Sequence, residues 1–196
     1  MLVGFLGAPI SGKTTTAALL FASLKESGYV SEFVPEHARL FIARRRYDAV
    51  RLGEPVAPLN DLDQRSILYG QHQMEKVFSQ DSLRSVIITD ATAFLALLYM
   101  SPGNRVLGDI LPHAKASAKA FDLLFRCYPV QAGDLYDPNR AHSFEQSLAL
   151  DQQLDDIMSL VGVDRERVVD LVGPTHVRAS RAFHEVMEKF IACSSR

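Results

Sequence analysis

The sequence of 196 residues has no tryptophan, only two cysteines and no excess of basic residues. Cys127 and Cys193 lack the spacing of a C-x-x-C or metal-binding motif, which favours a reducing compartment. Its 21 Lys and Arg are outnumbered by 23 Asp and Glu, so an obligate polyanion-binding protein is disfavoured. The longest apolar run, 91–100, is too short to span a membrane, and the N-terminus lacks the basic region of a signal peptide. We therefore expect a soluble, cytoplasmic protein without membrane contact.

What the sequence does contain is typical of a globular α/β domain. Hydrophobic residues make up 47% and charged residues 22% of the chain. Short apolar runs alternate with longer amphipathic segments, which predicts a five-stranded parallel sheet with helices on both faces. We expect a single domain over 1–196 with a short lid at about 130–145. The predicted strands are 2–6, 30–34, 85–89, 121–128 and 167–172, and the predicted helices are 13–27, 36–46, 61–79, 92–100, 109–119, 143–161 and 175–193.

One motif carries specific chemistry, because the first strand is followed by a complete phosphate-binding loop, G-x-x-x-x-G-K-[ST], also called Walker A. Its glycines permit the backbone conformations that surround a phosphate. Lys13 is expected to reach the β- and γ-phosphates of ATP, and Thr14 to ligate Mg²⁺. The predicted nucleotide-binding residues are Gly7, Ala8, Pro9, Ile10, Ser11, Gly12, Lys13, Thr14 and Thr15.

The loop predicts nucleoside triphosphate binding but leaves three classes of protein open: a small-molecule kinase, a GTPase switch and a mechanical or DNA-coupled ATPase. A GTPase should carry an N-K-x-D motif, and the sequence contains none. A mechanical ATPase usually places a Glu directly after the metal-binding Asp, whereas Ala91 follows Asp90 here. A phosphotransferase therefore fits best. The alternative is a nucleic-acid-stimulated or regulatory ATPase that has no phosphoacceptor.

Two predicted strands end in a carboxylate. Asp90 ends an apolar strand, where it is expected to hold Mg²⁺ or to cap the next helix. Glu36 ends the second strand, and ligands of open α/β sheets bind at such strand ends. Glu36 is therefore a candidate general base or metal-orienting group, with Arg39 one helical turn away, unless it is only a surface residue favoured by the helix dipole.

Several other polar residues are candidates for the site. Arg126, near the end of the fourth strand, and Arg140, in the predicted lid, are placed to neutralise charge during phosphoryl transfer, although Arg140 also fits an exposed turn. The cluster at 44–46 with Arg51 fits either a solvated helix end or a contact to an anionic acceptor. Gln64 and Gln71 share a helix face and could read a base edge or simply be solvated. The segment 173–178 could pack on adenine.

Together these residues resemble the nucleoside and nucleotide kinase branch of P-loop proteins. The likeness is to the AAA-type ATPase/kinase group that includes the ribosylnicotinamide kinase domain. It extends over about 2–178 and rests on the phosphate loop, on E-x-A-R at 36–39, on the strand ending at Asp90 before Thr92, and on D-x-x-R at 137–140.

The resemblance implies transfer of the ATP γ-phosphoryl group, with Mg²⁺, to a hydroxyl of a nucleoside-like acceptor. Phage kinases that phosphorylate 5-hydroxymethyluracil in DNA are similar too, so free nucleosides, nucleotides and a modified pyrimidine in DNA all remain candidate acceptors. The extended acidic lid of ribosylnicotinamide kinases is not closely reproduced, which argues against that substrate.

Overall fold

The computed structural model describes residues 1–81, 86–106, 108–130 and 142–194. Within these ranges the chain forms five strands, six α-helices and three short 3₁₀ segments. The strands are β1 (Leu2–Leu6), β2 (Ser31–Val34), β3 (Val86–Thr89), β4 (Leu123–Cys127) and β5 (Val168–Leu171), and the α-helices are α1 (Lys13–Glu26), α2 (His37–Leu52), α3 (Asp61–Asp81), α4 (Ile110–Ala120), α5 (Phe144–Val161) and α6 (Thr175–Ser194).

The five strands form one parallel sheet in the order β2-β3-β1-β4-β5. The predicted α/β fold with a five-stranded parallel sheet is thereby confirmed. β1 lies at the centre, where Leu2 pairs with Ile87 of β3 and Leu6 pairs with Arg126 of β4. Because all strands run in one direction, the loop after β1 and the residues after β2 and β3 meet at the same edge of the sheet.

Helices cover both faces of the sheet because the two sets of strand side chains point to opposite sides. On one face Val3 and Phe5 of β1 pack with Leu20 of α1 and Val186 of α6. On the other face Leu2 and Leu6 pack against α3, α4, α5 and the 3₁₀ segment Ala93–Tyr99. All five residues of β1 are buried, so this strand fixes the position of the loop that follows it.

The segment predicted as a helix at 92–100 is a 3₁₀ helix, Ala93–Tyr99. Residues 93–98 are all buried, so the segment is apolar on every side and has no amphipathic period that favours an α-helix. Further 3₁₀ segments at Pro102–Val106 and Arg165–Arg167 had no counterpart in the prediction.

Helix α2 is longer than predicted, since it continues past residue 46 to Leu52. Arginines favour helical backbone, so the run at 44–46 does not end it. The helix ends where Gly53 adopts a left-handed conformation with φ 69° and the Glu54 N–H donates to the Ala49 carbonyl. Arginines 44–46 therefore lie inside the helix, and the prediction of a helix end is wrong for them, whereas Arg51 of the same cluster lies in the last turn.

Two further predictions concern a membrane-spanning segment and the lid. Within the ranges given above, no helix is both long and apolar enough to cross a membrane. Of the predicted lid at about 130–145, residues 131–141 lie outside the described part of the chain.

Candidate nucleotide site

The loop between β1 and α1 has a backbone that only particular residues permit. Gly7 has φ 143°, and a Cβ placed on it would lie 2.2 Å from the Cys127 carbonyl oxygen. Gly12 has φ 76° and forms the N-cap of α1 in the left-handed conformation. Ile10, at φ 54°, is a non-glycine residue in that region, which is uncommon away from functional sites. The loop is thus held in a specific, partly strained shape.

The Lys13 side chain folds back over this loop. Its Nζ donates hydrogen bonds to the carbonyl oxygens of Gly7, at 2.7 Å, and Ala8, at 2.9 Å. Burial lowers the pKa of Lys13, while the nearby carboxylates of Glu36 and Asp90 act in the opposite direction. A desolvated cation beside the loop is well placed to bind phosphate oxygens.

Thr14 and Asp90 form the part of the site that fits a divalent cation. The Thr14 hydroxyl donates to Asp90 Oδ2 at 2.9 Å, which joins the first turn of α1 to the end of β3. Asp90 is only 2% exposed, and its other oxygen, Oδ1, is buried without a hydrogen-bond partner. Hydroxyl and carboxylate oxygens are the protein ligands that Mg²⁺ prefers, so these two residues fit the ion.

The Asp90 carboxyl has a raised pKa. Burial is the main cause, and the negative charge of Glu36 adds to it. The Thr14 hydrogen bond and the positive charges of Lys13 and Arg39 partly oppose the shift. An unpaired buried carboxylate is unfavourable, and a bound cation would remove that cost.

Glu36 and Arg39 extend the site towards solvent. Glu36 is the N-cap residue of α2, and its Oε2 accepts a 2.9 Å hydrogen bond from Arg39 Nε. Arg39 Nη2 also donates to the Thr14 hydroxyl at 2.8 Å. The Arg39 side chain is 66% exposed and that of Glu36 30%, so the pair is held only loosely and remains accessible to a ligand.

One aromatic side chain is within electrostatic range of Glu36. Tyr99, at the end of the 3₁₀ segment, is 38% exposed, and its ring centroid is 5.8 Å from that of His142. Burial of the phenol together with the charge of Glu36 raises the pKa of Tyr99. The charge of Glu36 therefore acts on the Tyr99 phenol, as it does on Lys13 and Asp90.

Arg126 is on the opposite side of the phosphate loop from Glu36 and already has acidic partners. It donates to Asp155 at 2.8 Å and to Asp151 at 3.4 Å, and it lies over the Tyr128 ring. Asp151 is close enough to Lys13 that the two charges interact. Arg126 therefore lies near the site, but its guanidinium already pairs with two carboxylates. Arg140 falls in the range 131–141, outside the described residues.

Residues 44–46 and the two glutamines are not parts of this cluster. Arg45 pairs with Asp63, whereas Arg44 and Arg46 are exposed. Gln64 and Gln71 are 6% and 3% exposed, so the alternative of solvated glutamines is wrong. Gln71 Oε1 instead accepts the backbone N–H of His37 at 2.6 Å and supports the start of α2.

Sequence reasoning missed two buried residues that support the site. Arg178, from α6, donates to the carbonyl oxygen of Ser11 in the phosphate loop at 2.7 Å. Glu75, from α3, accepts the backbone N–H of Ala93 and the hydroxyl of Ser117, both at 2.7 Å, and so anchors the segment that follows Asp90. These three contacts join residues that are 167, 18 and 42 positions apart, so no local spacing signalled them.

A central strand, a Walker A loop and an acidic residue ending the adjacent strand define a P-loop NTPase fold. The sequence matches the profile of the AAA domain family over residues 2–171, and the chain belongs to that family.

Solved structures of NadR share this fold. The structure of NadR protein in complex with NAD and AMP-PNP matches with a TM-score of 0.66 and 17% identity, over 95% of this chain and 48% of that one. NadR in complex with NR matches with a TM-score of 0.68 and 18% identity, over 95% and 50% of the two chains. This chain thus spans about half the length of these proteins. Comparison with curated proteins gives no match.

Proposed function

We propose that this protein is an ATP-dependent kinase that transfers the γ-phosphoryl group to a hydroxyl of a nucleoside- or nucleotide-type acceptor. The observation that carries the proposal is the cluster of Lys13, Thr14, Asp90, Glu36 and Arg39 at one edge of the sheet. The NadR likeness supports it, since those structures hold a nucleotide and NR. We assign the activity to one domain over 1–196 and to the cytoplasm, where ATP is available.

The phosphate loop, residues 7–15, would hold the triphosphate, with Lys13 at the β- and γ-phosphates. Thr14 and Asp90 would hold Mg²⁺, which supplies charge neutralisation when it is bound. Arg39 and Arg126 are proposed to stabilise the charge that develops on the transferring group. Arg126 must then exchange part of its contact with Asp151 for the phosphate.

On the acceptor side, Glu36 is proposed to accept the proton of the attacking hydroxyl. The acceptor oxygen then forms a bond to Pγ as the bond between Pγ and the β,γ-bridging oxygen breaks, and ADP leaves with that electron pair. Tyr99, whose phenol is affected by the charge of Glu36, is proposed to offer an aromatic surface for the planar base of the acceptor. The residue after Asp90 is Ala91, so the glutamate that activates water in mechanical ATPases is missing from that position.

The test is transfer of radiolabelled γ-phosphate to a panel of acceptors: free nucleosides, nucleotides, ribosylnicotinamide and DNA containing 5-hydroxymethyluracil. Labelled acceptor supports the proposal, and the member that is labelled identifies the substrate, including the 5-hydroxymethyl group of a modified pyrimidine in DNA. Label that appears only as inorganic phosphate, and increases when DNA is added, would instead support the ATPase alternative. Lys13→Ala is the negative control for either reaction.

A further inference from the structure

The buried guanidinium of Arg178 has no role in the function proposed above. This residue lies in the first turn of α6 and is 6% exposed. Its Nε donates to the Gly173 carbonyl oxygen at 2.7 Å, and its Nη1 donates to the Ser11 carbonyl oxygen at 2.7 Å and approaches that of Tyr128 at 3.5 Å. One side chain thus connects the ends of β4 and β5 to the phosphate loop.

The contact with Ser11 fixes the orientation of one peptide group of the loop. No peptide bond of the described chain is cis, and in a planar trans peptide the C=O and the following N–H point in opposite directions. Because Arg178 holds the Ser11 oxygen, the N–H of Gly12 must point away from Arg178. Among the described residues nothing accepts a hydrogen bond from this N–H. The arginine therefore keeps one loop donor turned towards the phosphate side.

The charge of Arg178 has no carboxylate partner. None of the ion pairs in the described part of the chain includes Arg178. Its guanidinium approaches three carbonyl oxygens and the Cys127 thiol, none of which is a carboxylate. Burial of a cation without a counter-ion is costly, and a polyphosphate in the loop would supply the missing negative charge. The loop orientation that Arg178 holds and its positive charge therefore both favour binding of a polyphosphate.

We propose that Arg178 is a positioning residue that holds the phosphate loop in its binding conformation and couples it to the segment 173–178. The inference rests on nucleotide binding in the proposed function and is independent of the acceptor. It predicts that loss of Arg178 weakens binding of the phosphate chain itself, whether or not a base is attached.

The experiment measures the affinity of the full chain for Mg²⁺–ADP and for Mg²⁺–tripolyphosphate by calorimetry. Arg178→Met should lose about 10- to 100-fold in affinity for both ligands, because the Ser11 peptide is no longer held in the orientation that presents the Gly12 N–H to phosphate. Arg178→Lys should lose less, because it keeps the charge but cannot bridge three carbonyl groups. Arg181→Met is the matched control on the same helix, as that side chain is half exposed and pairs with Glu185; its affinities should stay at the wild-type values.

Unchanged affinity for tripolyphosphate in folded Arg178→Met would overturn the inference, and so would an equal loss in Arg181→Met. Loss of ADP affinity alone would also overturn it, since it would show a contact with adenine rather than control of the loop. If Arg178→Met does not fold, Arg178→Lys decides the question: weakened tripolyphosphate binding supports the role and wild-type binding refutes it. Since no acceptor is present, failure of the kinase proposal would not alter these outcomes.

Discussion

The Thr14 hydroxyl donates a 2.9 Å hydrogen bond to the Asp90 carboxylate across a separation of 76 residues. This contact joins the first turn of α1 to the end of β3, and it is possible because β3 is the direct neighbour of β1 in the sheet. It leaves the second oxygen of Asp90 buried and without a partner. The cation proposed for this position would bind the two side chains that the sheet order brings together.

Asp90→Asn should weaken Mg²⁺-dependent nucleotide binding by roughly 10- to 100-fold. The amide oxygen can still accept the Thr14 hydrogen bond, but the negative charge that attracts the cation is lost. The variant also tests the raised pKa of Asp90. As pH falls, the wild-type carboxyl takes up a proton at a higher pH than an ordinary Asp, so Mg²⁺-dependent binding should decline there. Calorimetric titrations between pH 4 and 8 measure both effects.

Asp48→Asn is the matched control. Asp48 lies on α2, its side chain is more than half exposed, and its ion-pair partner is Arg51. It should retain the wild-type affinity and pH dependence. Equal pH dependence in the wild type and in Asp90→Asn would show that another group titrates.

Lys13→Met should reduce phosphoryl transfer by about 10²–10³-fold, because the transferring group loses a preorganised charge. The melting temperature should change little. The substitution removes hydrogen bonds to Gly7 and Ala8 but also relieves the burial of a cation, whose pKa is lowered by that burial. Transfer assays and thermal melts on the same samples separate the two effects, and normal turnover would refute the role of Lys13.

Much of this architecture follows from local sequence patterns. The glycine spacing predicted the loop, and the apolar runs predicted all five strands of the parallel sheet, because a buried strand requires continuous apolar residues. The strand ends then placed Glu36 and Asp90 at one edge. The segment at 92–100 was assigned incorrectly, because a run that is apolar on all sides has no period to distinguish helix types.

The contacts that support the site could not be predicted from local sequence patterns. Arg178 and Ser11 are 167 residues apart, and Ser117 and Glu75 are 42 apart, so each pairing exists only after the chain has folded. An isolated Arg or Glu in an amphipathic helix looks like a surface residue until its burial is known. The same holds for Gln71, whose burial rules out the solvated alternative and whose Oε1 supports the start of α2.

Glu75→Gln should change the pH dependence of stability. Burial raises the pKa of Glu75 above its ordinary value of 4.5. The folded state therefore binds the proton more tightly than the unfolded chain, and the contribution of Glu75 to stability decreases as pH rises from 4.5 through the folded-state pKa. Hydrogen bonds from the His72 and Ser117 side chains and from the Ala93 N–H act against this shift, which burial dominates. Glutamine lacks this titration, so the variant should gain stability relative to the wild type as pH rises.

Urea unfolding at several pH values between 4.5 and 8 measures the difference in unfolding free energy for this pair. Glu54→Gln, in the exposed stretch after α2, is the control and should give a difference that is nearly constant with pH. A constant difference for Glu75→Gln would contradict the burial argument.

The position of Glu36 gives the last prediction. β2 is one strand removed from β1, so Glu36, two residues past the end of β2, lies near the phosphate loop without being part of it. The charge of Glu36 acts on Lys13 and on Asp90, and Arg39 connects it to Thr14. A group in this position can meet an incoming hydroxyl rather than the nucleotide itself.

Glu36→Gln should therefore lower turnover by roughly 10²–10⁴-fold, the usual contribution of a general base, and leave ATP affinity nearly unchanged. It should also move the acidic decline of Mg²⁺-dependent nucleotide binding to lower pH, because the Glu36 charge contributes to the raised pKa of Asp90. Glu32→Gln, exposed on the strand that precedes Glu36, should alter neither property. Steady-state transfer kinetics and binding titrations on both variants distinguish a general base from a surface residue. Glutamine keeps the shape of the Glu36 side chain but cannot accept the proton. Normal turnover in Glu36→Gln would therefore exclude Glu36 as the base.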